Sequence, residues 1–311
     1  MKACFDDGNS LSVAAVVVSY NRVDLLRKCL AALESQDRRP DEIILVDNGS
    51  TDGSVAMVQE EFPGVSVFET GINLGGAGGF AWGIERALAA GHDAAWLMDD
   101  DAEPLAGSLG PLVEAMEKAP DRPGFVTSTV VNPEGEPNSG HLPDLSPDVA
   151  RQAKAGELGG MAVNSASFVG VLIDLVAAAK MPLPYADFFI WFDDAEYTRR
   201  LSRGAYGVLL PASRIRHPEK QNQVDMGGRL FYYIRNNLWL RRLDPSPRTL
   251  LQNPVRWGAG MAVLALRQGL QAQDRRLWLR SAARGLYEGL ARSPRTIWPG
   301  QLLSKSVQLG R

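Results

Sequence analysis

Short apolar runs alternate with amphipathic stretches through the first two-thirds of the chain. Residues 13–18 are apolar and rich in β-branched side chains, which predicts a buried strand. Leu25, Leu26, Cys29, Leu30 and Leu33 then recur at helical spacing. Residues 42–46 predict a second strand, ending at Asp47-Asn48-Gly49-Ser50, and Thr51 or Asp52 can cap the helix that follows. Residues 65–68 and 94–98 read as further strands, with a helix over about 76–90 between them. Strands alternating with helices predict an α/β fold with a doubly wound, mostly parallel sheet. Ligands on such sheets bind outside the carboxyl ends of the strands. Ser19-Tyr20-Asn21, Asp47-Asn48 and Asp99-Asp100-Asp101 all fall at those ends, which points to one shared site.

The pattern then loosens. Residues 132–162 carry Pro133, Pro137, Pro143, Pro147 and several glycines, and predict a long loop or lid. Residues 166–175 return to the core. Five apolar or aromatic residues, 188–192, lead into Asp193-Asp194-Ala195-Glu196-Tyr197, which starts a helix running to about Arg203. Residues 207–210 read as another strand, followed by Arg216-His217-Pro218. Beyond this the pattern is helical. Leu279, Ala282, Ala283, Leu286 and Leu290 form an apolar face, and Arg276, Arg280 and Arg284 form a basic stripe. Pro245, Pro247, Pro254 and Pro294 punctuate it. The expected division is an α/β body over 1–228 and a helical tail over 229–311.

Composition sharpens this division. The 311 residues are 45% hydrophobic and 22% charged, which excludes a disordered, collagenous or coiled-coil chain. No run of 18 apolar residues predicts a membrane span. The first residues lack the apolar core of a signal peptide. Cys4 and Cys29 make neither a disulfide framework nor a zinc site, so the expected setting is reducing and cytoplasmic. The net charge of −3 hides an asymmetry. From Arg229 onward, 15 Lys and Arg face only Asp244, Asp274 and Glu288, a net charge of +12. The first 228 residues therefore carry −15. Four of the seven tryptophans, Trp239, Trp257, Trp278 and Trp298, also lie in the tail. An acidic body and a basic, aromatic surface suggest two tasks.

Three adjacent carboxylates, Asp99, Asp100 and Asp101, repel one another unless a cation sits among them, and oxygen ligands suit Mg²⁺ or Mn²⁺. In an extended segment Asp99 and Asp101 can converge. A solvated acidic turn is the plain alternative. Asp193, Asp194 and Glu196 follow Trp191 and Phe192, which suggests a partly buried base; capping of a helix start is the alternative. His217 can serve as a structural histidine or as a third ligand. Asn73-Leu74-Gly75-Gly76-Ala77-Gly78-Gly79 gives backbone room for a nucleotide or sugar, or for tight packing. Gly76 to Ala81 also matches G-x-G-x-x-A, the dinucleotide fingerprint, but follows the third strand rather than the first.

In this order the segments resemble a family 2 glycosyltransferase with the GT-A fold. The resemblance rests on residues 16–22 (VVVSYNR), 43–52 (IILVDNGSTD), 73–76 (NLGG), the Asp99–Asp101 motif and the acidic 193–196 segment, and covers about 12–220. Residues 189–197, His217 and 232–237 (YYIRNN) are similar to the galactofuranosyltransferases of actinobacterial cell-wall galactan, and the length is more similar to the initiating enzyme than to the polymerising one. The resemblance implies an inverting transfer of galactofuranose from UDP-galactofuranose to a rhamnosyl-GlcNAc-diphosphate polyprenol. It implies donor contacts from Ser19, Asn21, Asp47, Asn73, Gly75, Gly76 and Asp100. Asp99, Asp101 and His217 would hold Mn²⁺ or Mg²⁺. Asp194 would be the base, with Asp193 and Glu196 beside it, and the choice between Asp193 and Asp194 stays open. Trp191, Arg235 and Asn236 would meet the acceptor. A lipid-linked acceptor implies a cytoplasmic enzyme lying peripherally on the inner face of the cell membrane. The basic tail would serve as membrane surface or oligomer contact.

Three other readings have their own tests. A rhamnosyltransferase of the same family would use dTDP-rhamnose. An NAD(P)-dependent dehydrogenase would need its fingerprint at the first strand, where Ser19-Tyr20-Asn21-Arg22 stands instead. A nucleic-acid-binding role for the tail has no accompanying motif.

Overall fold

A computed structural model describes residues 10–219, 225–244 and 254–308. Cys4, Pro245 and Pro247 lie outside the described residues. The strands are β1 (Val13–Ser19), β2 (Glu42–Asp47), β3 (Ser66–Glu69), β4 (Ala94–Asp99), β5 (Glu103–Pro104), β6 (Phe125–Val131), β7 (Asp144–Leu145), β8 (Met161–Ser165), β9 (Val171–Asp174) and β10 (Gly207–Arg216). They form one sheet in the order β3-β2-β1-β4-β9-β6-β10-β8-β7, with β5 on β10. β3, β2, β1 and β4 are parallel neighbours, as are β6 and β10. β9 runs antiparallel between β4 and β6, and β8 and β5 run against β10. Most strands thus share one direction, as the sequence pattern predicts.

The helices are α1 (Val23–Glu34), α2 (Ser54–Glu61), α3 (Gly75–Ala89), α4 (Leu109–Lys118), α5 (Val149–Glu157), α6 (Leu175–Ala178), α7 (Asp193–Gly204), α8 (Leu230–Leu243), α9 (Pro254–Gln271), α10 (Arg275–Ala291) and α11 (Gln301–Gln308). All seven residues of β1 are buried, because helices cover both faces of the sheet. Val13, Ala15 and Val17 meet Leu26, Leu30 and Leu33 of α1 and Leu112 and Met116 of α4 on one face. Ala14, Val16 and Val18 meet Phe80, Ala81 and Ile84 of α3 on the other, where Tyr197 and Leu201 of α7 also pack. At the start of α2 it is the Asp52 side chain that accepts from the Ser54 N–H (3.1 Å). The Thr51 N–H instead goes to Asn21 Oδ1 (2.7 Å).

Residues 132–162 are not the long loop predicted. They hold a short helical turn at Ser139–His141, β7, α5 and the start of β8. α5 buries only Ala155, and its start is fixed by the Asp148 carboxylate accepting from Ala150 and Arg151. The prolines punctuate these elements rather than dissolving them.

The tail closes onto the body. α10 lies close against α8 at Ser281, Gly285 and Gly289; a Cβ on Gly285 would sit 2.8 Å from the Phe231 carbonyl oxygen. The apolar face expected of α10 is therefore split. Ala282 packs against α8, whereas Leu279, Leu286 and Leu290 are exposed. α9 packs on α8 through Trp257, Met261 and Leu264. Buried Glu85 of α3 accepts the N–H groups of Gly300, Leu302 and Leu303 at the start of α11. Among the described residues, no helix is long and apolar enough to cross a membrane.

Candidate active site

β1, β2, β4 and β10 deliver Ser19, Asp47, Asp99 and His217 to one edge of the sheet. The ligand atoms of Asp99, Asp101 and His217 lie within 4.8 Å of one another. His217 Nε2 is 3.0 Å from Asp101 Oδ1, and Nδ1 is 2.8 Å from the Pro218 carbonyl. A carbonyl only accepts, so Nδ1 carries its proton toward Pro218 and Nε2 faces the carboxylates. Two carboxylates and an imidazole form a donor set that fits Mn²⁺ or Mg²⁺.

The electrostatics support that fit. Burial, reinforced by the charges of Asp101 and Asp100, pushes the Asp99 carboxyl well above the ordinary carboxylate range. Burial also raises Asp100, to about 6, against the opposing pull of Arg22. Asp101 goes the other way: burial would raise it, but His217 and Arg22 outweigh burial and lower it. For His217, burial alone would lower the imidazolium, yet the hydrogen bond and charge of Asp101 raise it. This is a crowded anionic cluster, whose repulsion a bound dication would relieve.

Asp100 turns toward β1. It accepts from the Ser19 hydroxyl (2.9 Å), the Tyr20 N–H (3.2 Å) and Arg22 (3.2 Å), and Arg22 also reaches Asp101 (2.6 Å). Asp47 Oδ2 accepts from the Gly49 and Ser50 N–H groups (3.0 and 2.9 Å). Its Oδ1 is buried and meets no hydrogen-bond donor among the described residues. An orphaned buried carboxylate oxygen is costly, and it marks where a ligand donor group would fit. Asn21 adopts a left-handed backbone (φ 53°) and ties the first loop to the second through Thr51. Asn73 Oδ1 accepts from the Gly75 N–H (2.8 Å).

The glycine run is used mainly for packing. A Cβ on Gly75 would lie 2.1 Å from the Phe189 carbonyl oxygen, and one on Gly79 would lie 2.4 Å from Val18. Gly83 would meet Val16 at 2.2 Å, and Gly78 would meet Leu74 at 2.6 Å. Only near Gly76, where the nearest neighbour is Phe80 at 4.0 Å, is there the open room the sequence suggested for the run. A glycine pattern cannot reveal what occupies the space it leaves.

The acidic segment follows a turn of unusual backbone. Phe189, Trp191 and Phe192 have φ of 64°, 67° and 70°, a region that costs non-glycine residues about 1–3 kcal/mol each. This turn sets Asp193 and Asp194 at the first positions of α7, where the helix dipole favours negative charge. Burial, then the charge of Asp194, push Asp193 well above the ordinary range. The charge of Asp193 is also among the causes that raise Asp99, so the two carboxyls lie near enough to repel. Asp194 is less buried, and its Oδ1 accepts from the Ala195 N–H (2.7 Å). Glu196 lies deeper, paired with Arg200 at 2.8 Å, and burial raises it. Trp191 is half-buried, edge-on to Tyr233. Arg235 and Asn236 are buried, and their side chains donate to backbone carbonyls of the 187–191 turn.

Three residues belong to this neighbourhood without having been given a role of their own from sequence. Arg22 bridges Asp100 and Asp101. Buried Asn48 donates to the Gly75 carbonyl (3.0 Å). The His141 ring stands edge-on to His217, with centroids 4.5 Å apart. Arg22 and Asn48 lie inside the strand-end motifs, where proximity to Asp47 and Asp99 was a usable signal. His141 sits 76 positions before His217 in an unmarked segment.

The model of glycosyl transferase family 2 matches residues 14–172, about half of the chain, from the second residue of β1 into β9. The chain belongs to this family. Two curated relatives carry the same assignment further. Galactofuranosyltransferase GlfT1 of Mycolicibacterium smegmatis is 31% identical over 285 residues, covering 79% of this chain and 87% of that protein. GlfT1 of Mycobacterium tuberculosis is 33% identical over 273 residues, covering 79% and 88%. The N-acetylglucosaminyl-diphospho-decaprenol L-rhamnosyltransferase of M. tuberculosis is 32% identical over 122 residues, covering 32% of this chain and 40% of that one. Among solved structures, GalNAc-T7 with UDP, GalNAc and Mn²⁺ superposes with a TM-score of 0.57 at 16% identity. It covers 91% of this chain and 58% of that one, so this chain spans little over half its length. A mannosyltransferase from Pyrobaculum calidifontis in complex with GDP-Man and Mn²⁺ gives 0.55 at 17% identity, covering 97% and 81%. This family 2 member is a glycosyltransferase of the GT-A fold, and a metal-binding Asp-x-Asp site fits its geometry.

Proposed function

We propose that the enzyme transfers galactofuranose from UDP-galactofuranose to a rhamnosyl-GlcNAc-diphosphate polyprenol, with inversion at the anomeric carbon. Similarity to galactofuranosyltransferases over 79% of this chain and 87% of that protein carries this reading. Asp47, with its orphaned oxygen, binds the uridine, supported by Ser19, Asn21, Asn73 and Gly76. Asp99, Asp101 and His217 hold Mn²⁺ or Mg²⁺, which when bound offsets charge on the departing diphosphate. Asp194 takes the proton of the acceptor hydroxyl as its oxygen bonds to the anomeric carbon and UDP departs with the electrons of the broken bond. Of the adjacent pair, Asp194 is the less buried and so the more open to an acceptor hydroxyl, while burial weighs against charge on Asp193.

A second reading, rhamnosyl transfer from dTDP-rhamnose, draws on the shorter match to the rhamnosyltransferase. Mass spectrometry of a synthetic lipid-diphosphate acceptor offered each donor with Mn²⁺ separates the two. Product from UDP-galactofuranose alone is expected; product from dTDP-rhamnose alone rejects the donor assignment and leaves the mechanism standing.

The acceptor brings the enzyme to the inner face of the cell membrane. Val255, Val263, Leu266 and Leu270 on α9 recur along one exposed side, as do Leu279, Leu286 and Leu290 on α10. Arg256, Arg267, Arg276, Arg280 and Arg284 flank these stripes. Apolar stripes edged by arginine suit an anionic lipid surface, where each basic residue contributes about 1 kcal/mol. A second copy of the chain would set these arginines against their like. Sedimentation should show binding to anionic but not neutral vesicles, lost in a Leu279→Asp, Leu286→Asp double variant. Equal binding by that variant rejects this surface.

A further inference from the structure

The turn that carries the acidic pair is an unlikely shape to persist unaided. Three large aromatic residues, Phe189, Trp191 and Phe192, occupy the left-handed backbone region within four positions. Such conformations last only where the surroundings over-determine them. The restraint comes from α8. The Asn236 side-chain amide donates to three carbonyls of the turn, those of Phe188 (2.9 Å), Ile190 (2.8 Å) and Trp191 (3.1 Å). Arg235 donates to the carbonyls of Asp187 and Phe188. Its Nε also donates to Asn236 Oδ1 (3.0 Å). A guanidinium only donates, so this contact fixes the amide with its NH₂ toward the turn.

Two further ties hold the same segment. The Phe189 carbonyl occupies the space that Gly75 leaves free and accepts from the Ala77 N–H (3.3 Å). The Asp187 carboxylate accepts the Arg295 side chain (2.6 Å) and backbone N–H (2.7 Å), which binds the segment after α10 to the start of the turn. Asn236 is 0% exposed and Arg235 6% exposed, and both are directed at protein backbone. That placement is at odds with direct contact to an acceptor.

We propose that Arg235 and Asn236 are positioning residues for glycosyl transfer. They clamp the 187–191 carbonyls, so that the strained turn sets Asp193 and Asp194 against the metal-ligating edge of the sheet. This rests on membership of the glycosyltransferase family and not on which donor is used.

The test compares Asn236→Ala, Arg235→Lys and Arg295→Ala with the wild type, using whichever donor the wild type transfers. For Asn236→Ala, kcat is expected to fall about 10²-fold, the size an ångström-scale misplacement produces. Acceptor KM and calorimetric UDP·Mn²⁺ affinity should stay within about threefold of wild type, since binding is not what the clamp supplies. Arg235→Lys keeps the charge opposite Glu288 but lacks the planar fork, and is expected not to restore kcat. Hydrogen exchange read by mass spectrometry needs no donor. It should quicken about tenfold in the 186–194 peptides and not across the sheet. Removing a buried amide can cost the fold itself. Arg295→Ala touches only the exposed outer tie, and should quicken the same peptides and lower kcat several-fold. Unchanged exchange and kcat in the folded variants would overturn the proposal. So would a rise in acceptor KM at constant kcat, the mark of direct acceptor contact.

Discussion

Asp194→Asn is expected to lower kcat by about 10²–10⁴-fold, the usual worth of a positioned general base. The acceptor hydroxyl must lose its proton as it attacks, and an amide cannot take it. The substitution is close to isosteric and lies at the start of α7, outside the Asp99–Asp101–His217 cluster. Metal and UDP affinity should therefore stay near wild type. Steady-state transfer beside calorimetric UDP titration checks both halves. Asp193→Asn provides the contrast. Burial disfavours charge on Asp193, the more enclosed of the two, so an amide there should cost less. Equal losses at both positions would mean that the pair acts as one titrating unit.

Asp101→Asn is expected to lower transfer by about 10³-fold, since Lewis-acid stabilisation of several kcal/mol converts at about 1.4 kcal/mol per tenfold. The loss has a pH signature in the wild type. His217 is raised because Asp101 stabilises its charged form. Below that raised value the imidazolium is paired with Asp101, and a cation must displace its proton. Above it Nε2 is available. Asp99, also raised, acts in the same direction. Mn²⁺ affinity should thus weaken as pH falls from above the raised His217 value to below it, with proton release on binding. Mn²⁺ titration followed by electron paramagnetic resonance on both sides of that value reads this directly. His217→Asn should weaken binding and flatten the slope. A pH-independent affinity in the wild type would remove these residues as the ligands.

The parallel half of the sheet was legible because β1, β2 and β4 are buried on both faces and read as continuous apolar runs, each ending in a polar cluster. The convergence of Asp99 and Asp101 was legible from the alternation of an extended segment, but His217 stood only as a candidate third ligand, since no spacing in the chain announces a contact across more than 110 positions. The glycine run misled because backbone room has the same sequence signature whether a ligand or the Phe189 carbonyl fills it. α5 was hidden by its single buried residue. On α10 a strong apolar pattern marks an exposed side, while small residues, Ser281, Gly285 and Gly289, make the contact with α8. Periodicity detects amphipathicity but not which face is covered. The burial of Arg235 and Asn236 was equally invisible, because those residue types usually signal ligand contact at a surface.

A single-displacement transfer at the Asp99–Asp101–His217 edge, with Asp194 as base, has one decisive reading in the product. The anomeric configuration of the newly made glycosidic bond, determined by nuclear magnetic resonance after reaction with Mn²⁺ and UDP-galactofuranose, should be inverted relative to the donor. It should form only with the divalent cation present. Retention of configuration, or the same product formed at the same rate in the Asp194→Asn variant, would contradict it.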